Sequence, residues 1–361
     1  MFEIKCLIMA KKDDFFELAD LRKKIDFLDH KIVDYLQQRM IVARQVAQYK
    51  INKDLPLTHP VREQQLLQTL KSHVENQSLK VKIEDLYELI FQCSKKEQTT
   101  VFLQHLDRYK APQSIGILGY GNFGRMLVNL FNRVLPSSEL RVYDKKVECL
   151  IEESASLEKV VKSEWLILAV PIPALKEVLK QIVDITPRET LVVDVCSVKV
   201  YPVRWMTETL GKRCQIIASH PMFGPESTLQ GNDYEDLNLM LHNVNAKKDN
   251  YANFREFWKL MGVNIVEITP EEHDRYAAYT INYNHFIGRL GELVGITPTP
   301  IDTRGFRIIY KALEYVTQDT WELFYSMQHY NPYSEEMIER VFECVNELKS
   351  KLMQYSSGGK T

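Results

Sequence analysis

The chain has 361 residues, more than one hydrophobic core usually supports, so two or three domains are expected. Hydrophobic residues make up 45% and charged residues 26%, and a formal net charge of -2 argues against a polyanion-binding surface, which removes nucleic acid as an expected partner. Six scattered cysteines (Cys6, Cys93, Cys149, Cys196, Cys214, Cys344) form no C-x-x-C pair, no apolar run approaches a membrane span, and the CLIMA stretch is too short for a signal peptide; a cytoplasmic protein is expected.

From Phe15 to about Lys50 there is neither glycine nor proline, and Leu18, Leu21, Ile25, Leu28, Ile32 and Leu36 recur at helical steps. A helix of ~35 residues is ~50 Å long, more than a small domain covers with its own chain, so a second subunit and a homodimer are expected. Pro56 and Pro60 break the pattern, and helices are predicted over roughly 61 to 75 and 80 to 107. Arg39 and Lys50 are eleven residues apart, a net rotation of about 20°, so they share one face about 16 Å apart and their long side chains can converge on a small dianion. Arg22 lies seventeen residues before Arg39, about 100° around the helix, and would have to serve a partner's site.

The segments LADLRKKIDFLDHKIVDYLQQRMIVARQVAQYK, LPLTHPVREQQLL and IFQCSKKEQ resemble the all-α chorismate mutases over about residues 15 to 100. That resemblance implies a site lined by Arg39, Lys50, Arg62, Glu63, Ser94 and Gln98, with Arg22 supplied by the second subunit and chorismate as substrate. His59 stands where an acidic residue is common. The reaction rearranges a dianion within itself, so it calls for a compact substrate conformer and a cation beside the breaking ether bond rather than a nucleophile. Lys50 and Gln98 are assigned to the ether oxygen, and the arginines to the carboxylates.

After residue 113 the rhythm changes to short apolar runs between helical segments: SIGILG, LRVYD, WLILAV, TLVVDV, CQIIAS and VNIVEI. This βαβ alternation predicts an α/β Rossmann-type, mostly parallel doubly wound sheet. Gly119, Gly121 and Gly124, with Asn122 and Phe123 between them, follow the run IGIL and open a helical segment, the setting of a dinucleotide fingerprint. Asp144 ends the second strand twenty residues beyond Gly124; a carboxylate there accepts hydrogen bonds from the ribose hydroxyls and repels a 2′-phosphate, favouring NAD over NADP. Lys145 and Lys146 weaken that preference.

His220 in ASHPMFGPE falls just past the CQIIAS strand, where a neutral imidazole can accept a hydroxyl proton while hydride leaves the same carbon. Ser197 and Lys199, from DVCSVK, are expected to project into the same crevice, to orient the histidine and to bind a carboxylate. From about Pro270 the pattern is helical to Leu352, and His273, His285, Arg289, Arg304 and Arg307 offer charge for an anionic substrate. No H-e-x-x-H spacing or cysteine cluster is present, so no metal is predicted. HPMFGPES, EEHDRYAAYTINYNHFIGR and IDTRGF together resemble the prephenate/arogenate dehydrogenases over roughly residues 113 to 345, and GYGNFG with TQDTWELFYSMQHYN looks closer to the plant-type arogenate enzymes. The resemblance implies His220 as base, Ser197 and Lys199 nearby, His285 on the substrate, and a helical C-terminal domain that dimerises. Arg304 is assigned to the substrate carboxylate, with Arg307 as runner-up. Plant-type relatives generally use NADP, from which Asp144 departs.

The expected organisation is an all-α mutase domain (1–100), a linker (101–112), a Rossmann domain (113–269), an all-α substrate and dimerisation domain (270–355) and a disordered tail (356–361). The reading is a bifunctional enzyme of tyrosine biosynthesis that makes prephenate and decarboxylates it oxidatively. Two alternatives stay open: an arogenate dehydrogenase with an inactive or regulatory mutase-like domain, and a non-enzymatic NAD-sensing protein.

Overall fold

A computed structural model of the chain describes residues 18–53, 60–104, 109–145, 151–225, 234 and 237–358. Phe15, Pro56, His59 and Lys146, and the last residues of the polar tail, lie outside the described residues. The chain divides into two units, Met1–Gln104 and His105–Thr361. No described helix is long and apolar enough to cross a membrane.

The first unit contains α1 (Leu18–Asn52), α2 (Pro60–His73) and α3 (Gln77–Gln104). With no helix breaker in its interior, α1 runs unbroken for 35 residues. Its C-terminal half packs on α3 through the buried Ala43 and Ala47, and Arg44 Nε reaches Glu97 Oε2 at 2.5 Å. Its N-terminal half has no such cover: Leu18, Ile25, Leu28 and Ile32 are 62%, 57%, 54% and 56% exposed.

The second unit is built on seven strands: β1 (Ser114–Leu118), β2 (Glu139–Tyr143), β3 (Trp165–Leu168), β4 (Leu191–Asp194), β5 (Gln215–Pro221), β6 (Asn238–Asn243) and β7 (Asn264–Glu267). They are ordered β2-β1-β3-β4-β5-β6-β7. The first five are parallel, β6 runs antiparallel to β5, and β7 parallel to β6. Strands β3 and β4 are buried along their whole length, which is why they read as unbroken apolar runs rather than alternating ones. Between the strands lie α4 (Asn122–Val134), α5 (Leu157–Val160), α6 (Ile172–Ile182), α7 (Val200–Leu210) and α8 (Lys248–Leu260). One face of the sheet is filled by Leu166, Leu168, Val192 and Ile216 against α6 and α7 residues such as Leu175, Leu179 and Met206. On α8, Phe254 and Phe257 pack their rings at 4.9 and 6.0 Å from Trp165.

The helices after β7 belong to this second unit: α9 (Pro270–Ala277), a π-helical turn (Ala278–Asn282), α10 (Tyr283–Val294), α11 (Arg304–Thr317), α12 (Trp321–Tyr330) and α13 (Ser334–Gly358). Helix α13 continues to Gly358, into the segment expected to be a disordered tail.

Two sequence expectations change. The run NLMLHN forms a seventh strand, β6, which the polar Asn238, His242 and Asn243 about its three apolar residues concealed. His220 lies inside β5 rather than past it, because antiparallel pairing with β6 extends the strand through Pro221.

A buried ion pair locks the strand ends together. Lys199 and Asp194 are both fully buried, and the ammonium donates to the Asp194 carboxylate and to the Ser219 carbonyl. Replacing Lys199 by Met leaves Asp194 an uncompensated buried charge, a loss of about 3–5 kcal/mol. Denaturant unfolding of the second unit is expected to show it as a lowered midpoint; an unchanged midpoint would mean that the pair is dispensable.

Candidate active sites

In the first unit, α1 and α3 bring most of the anticipated residues together. Arg39 Nη1 donates to the Ser94 hydroxyl and, at 3.3 Å, to the Ile90 carbonyl, while its guanidinium lies 5.7 Å from the centre of the Phe91 ring. Lys50 Nζ donates to Gln98 Oε1 at 3.0 Å. Lys95, which the sequence reading passed over, is buried and lies 3.2 Å from Glu63 Oε2. Burial pushes the Lys50 ammonium below its ordinary pKa; the Glu63 carboxylate opposes that effect, and the Lys95 charge adds to it. Arg39 is likewise lowered by burial against the favourable field of Tyr87 and Glu63. Arg39, Lys50 and Lys95 thus surround one carboxylate, a net +2 by side-chain charge, suited to a dicarboxylate. Arg22 and Arg62 are exposed, Arg22 near the far end of α1.

In the second unit the glycine motif forms a cradle. Gly119 has φ +106°, and a Cβ there would meet the Ala169 carbonyl oxygen at 2.2 Å. A Cβ on Gly124 would sit 2.1 Å from the Gly119 oxygen, so the third glycine lets α4 start against the turn. Nothing lies within 4 Å of a Cβ on Gly121, the N-cap of α4, and no side chain caps that helix end. Its amides and positive dipole end therefore face open space, with Asn122 exposed and Phe123 half-buried in the first turn. Asp144 Oδ2 accepts the Tyr120 amide at 2.7 Å, tying the end of β2 to the turn. Arg125, which the sequence reading missed, donates to the Tyr120 carbonyl at 3.1 Å and adds a cation beside the cradle. These features fit a dinucleotide pyrophosphate.

A chain of buried hydrogen bonds stands at the carboxyl end of β5. His220 Nδ1 is 2.8 Å from His273 Nε2, and His273 Nδ1 is 2.8 Å from Asp274 Oδ1. The sequence TPEEHD explains the placement of the last two: Thr269 and Glu272 form a reciprocal capping box with Pro270 in the first turn, so α9 begins where His273 and Asp274 turn inward. Asp274 in turn caps another helix, accepting the Lys199 amide at 2.7 Å and the Val200 amide at 2.8 Å at the start of α7. With Asp274 accepting, His273 carries its proton on Nδ1 and offers Nε2 as acceptor. His220 must then donate through Nδ1, an assignment made from partners that leaves the lone pair on His220 Nε2. Burial, with the neighbouring His273 and Lys199, holds His220 well below the ordinary histidine pKa, so it is neutral. Ser197 Oγ is also buried and has no hydrogen-bond partner among the described residues, as a group awaiting a ligand would.

Lys199 corrects an expectation. Its ammonium is fully buried on Asp194 and Ser219, so it does not bind a substrate carboxylate. It fixes the residue before His220 instead.

His285 is buried on α10, with Nδ1 lacking a hydrogen-bond partner among the described residues and Nε2 3.7 Å from Asp319. Burial lowers its pKa, Asp319 opposes the shift and Arg289 reinforces it. Twelve residues of regular helix would turn His285 about 120° from His273; the π turn absorbs one extra residue and reduces that to about 20°. The turn is held by Gln328 Nε2 donating to the Asn282 carbonyl at 2.9 Å and by the Asn282 amide donating to Ser334 at 2.7 Å. Arg289 is the buried arginine here, stacked 4.4 Å from Trp321, whereas Arg304 and Arg307 stand exposed on the first turn of α11. Among the described residues no group of three or more His, Cys, Asp or Glu is placed to hold a metal ion.

Comparison with known proteins matches the two sites separately. Residues 21–99 match the chorismate mutase type II family, residues 136–267 the nucleotide-binding domain of prephenate dehydrogenase, and residues 290–360 a TYRAAT1-like C-terminal domain. The chain joins a type II chorismate mutase domain to a prephenate dehydrogenase domain. Among its relatives is arogenate dehydrogenase 1, chloroplastic, of Arabidopsis thaliana, 32% identical over 250 residues, or 66% of this chain. The chain spans only 39% of that relative's length. The T-protein of Enterobacter agglomerans is 24% identical over 275 residues, covering 75% of this chain and 68% of that one. The prephenate dehydrogenase of A. aeolicus, solved with hydroxyphenyl propionate and NAD+, shares the fold of the dehydrogenase part at TM-score 0.55 and 19% identity, over 68% of this chain and 93% of that one.

The glycines offer a clean separation of fold from binding. Gly121→Ala is expected to leave the melting temperature of the dehydrogenase part unchanged while weakening dinucleotide affinity, because its Cβ enters only the open cradle. Gly124→Ala is expected to cost about 1–3 kcal/mol of stability through its clash with the Gly119 carbonyl. Thermal melts with an NAD titration read both, and wild-type affinity in Gly121→Ala would remove the cradle as the phosphate site.

Proposed function

We propose that the chain is bifunctional: its first unit rearranges chorismate to prephenate, and its second oxidises prephenate with loss of CO2 to 4-hydroxyphenylpyruvate. The observation that carries the reading is the presence in one chain of a cluster of cations about Glu63 and of a neutral, hydrogen-bonded histidine in the same unit as a glycine cradle.

In the helical site, Arg39 and Arg62 bind the substrate carboxylates, with Arg22 supplied by a second copy of the chain. The uncovered apolar stripe of α1 supports such a homodimer. Lys50, bonded to Gln98, stands at the ether oxygen and stabilises the charge that grows there as the bond breaks. Ser94 orients Arg39, and Glu63 accepts from the substrate hydroxyl.

In the dehydrogenase part, His220 Nε2 takes the proton from the ring hydroxyl while Asp274 and His273 hold the tautomer that keeps this nitrogen bare. A bound nicotinamide dinucleotide, held by Gly119, Gly121, Gly124 and the start of α4, supplies the hydride acceptor. Ser197 donates to the substrate hydroxyl, and His285 binds the carboxylate end. Arg304 is exposed in its own protomer and acts, on this reading, only where substrate or a second copy covers it. Breaking the ring-to-carboxylate bond releases CO2 and makes the ring aromatic, which drives the step. The unpaired Cys93, Cys196, Cys214 and Cys344 support a cytoplasmic setting.

A second reading keeps the same residues and takes arogenate as substrate, with tyrosine as product. The 32% identity to an arogenate dehydrogenase favours it. Asp144 supports NAD over NADP in either case.

Chorismate supplied alone, then with NAD, separates the readings: chorismate loss followed by NADH supports the prephenate route, and chorismate loss with NADH only on added arogenate supports the second. His220→Asn is expected to lower dehydrogenase kcat by about 10²–10⁴-fold and spare the mutase. Equal loss of both activities would refute separate sites. Because the folded His220 pKa is depressed, the base stays neutral through the ordinary histidine range. Dehydrogenase kcat/KM is therefore expected to stay level as pH falls through about 6.5 and to drop only in more acidic solution; a drop centred at the ordinary histidine value would exclude His220 as the buried base.

A further inference from the structure

Lysine is rarely buried without a task, because desolvating an ammonium is costly and its long stem can carry the charge to water. Helix α3 shows the contrast at adjacent positions: Lys96 is exposed, while Lys95 is 7% exposed and lies 3.2 Å from Glu63. Lys95 sits beside Ser94 and one helical turn before Gln98, the two α3 residues that meet Arg39 and Lys50. Glu63 acts electrostatically on both Arg39 and Lys50, so this one carboxylate stands among three cations.

Resting on the mutase reading above, we propose that Lys95 is a further positioning residue of the helical site, one that acts through Glu63 rather than on the substrate. Arg39, Lys50 and Arg62 are committed to the substrate on this reading, so none of them is available to neutralise Glu63; Lys95, 3.2 Å from that carboxylate, is the cation that does so. Lys95 serves two ends at once. It holds the Glu63 carboxylate in one orientation, ready to accept from a substrate hydroxyl, and it offsets the repulsion that an unpaired carboxylate would exert on an incoming dianion. The resting ion pair is therefore part of the binding site, kept by two protein charges so that a third, negative partner can enter.

The test is mutase kinetics with chorismate on the full chain, in a double-mutant cycle of Lys95→Met and Glu63→Gln with Lys95→Arg as rescue. Lys95→Met is expected to raise KM about tenfold or more with a smaller change in kcat. Lys95→Arg should recover most of that loss. The decisive variant is the double: with the Glu63 charge removed, loss of Lys95 should add little, so the double variant returns close to the KM of Glu63→Gln alone. Additive losses would make Lys95 a direct substrate ligand and overturn the proposal, as would an unchanged KM in Lys95→Met. Far-UV circular dichroism and thermal melting of the same preparations report that the helical unit is folded, and Lys95→Gln replaces the Met variant if that one fails to fold. Failure of the wild-type chain to consume chorismate would overturn the mutase reading itself, a result distinct from an active wild type with an indifferent Lys95.

Discussion

The second unit depends on one buried ammonium. Lys199 sits at the turn between β4 and α7, and its two ends make opposite demands: its side chain binds Asp194 and the Ser219 carbonyl, while its amide binds Asp274. An ammonium taken fully out of water tolerates little displacement, because each lost acceptor exposes an uncompensated charge. The ends of β4 and β5 and the start of α9 are thereby held in fixed register. His220 follows Ser219 and His273 precedes Asp274, so the two imidazoles meet because the residues beside them are locked.

The two sites use charge in contrary ways. Around His220 burial, reinforced by His273 and Lys199, keeps the histidine neutral so that a bare nitrogen is available. Around Glu63 the cations are in excess, because a rearrangement of a dianion needs field rather than a base.

Much of the fold was legible because it rests on short-range pattern. The strands from β1 to β5, and β7, read as apolar runs, and the long α1 as a stretch without breakers. β6 was not, since its three apolar residues, Leu239 to Leu241, lie between polar ones, Asn238 on one side and His242 and Asn243 on the other. Site residues divided along the same line. The glycine turn and the common face of Arg39 and Lys50 follow from local geometry. Lys199 was expected both to orient the histidine and to bind a carboxylate, and only its burial on Asp194 and Ser219 separates the two, because a lysine's sequence neighbours do not say whether its ammonium meets solvent, substrate or a buried carboxylate. Lys95 was passed over for the same reason, one of two adjacent lysines on a charged helix, only one of which turns inward.

By itself the sequence determined the helical and βαβ rhythms, the dinucleotide turn and the candidate charges, all properties of residues within a few turns of one another. Tertiary structure alone decided what those charges do. It joined His220 to His273 across 53 residues and the α7 amides to Asp274 across 75 and 74. It also inserted the π turn that swings His285 back toward the face of His273. The physical reason is that backbone periodicity is a local property, whereas protonation state and charge balance depend on which distant groups share a site from which water is excluded.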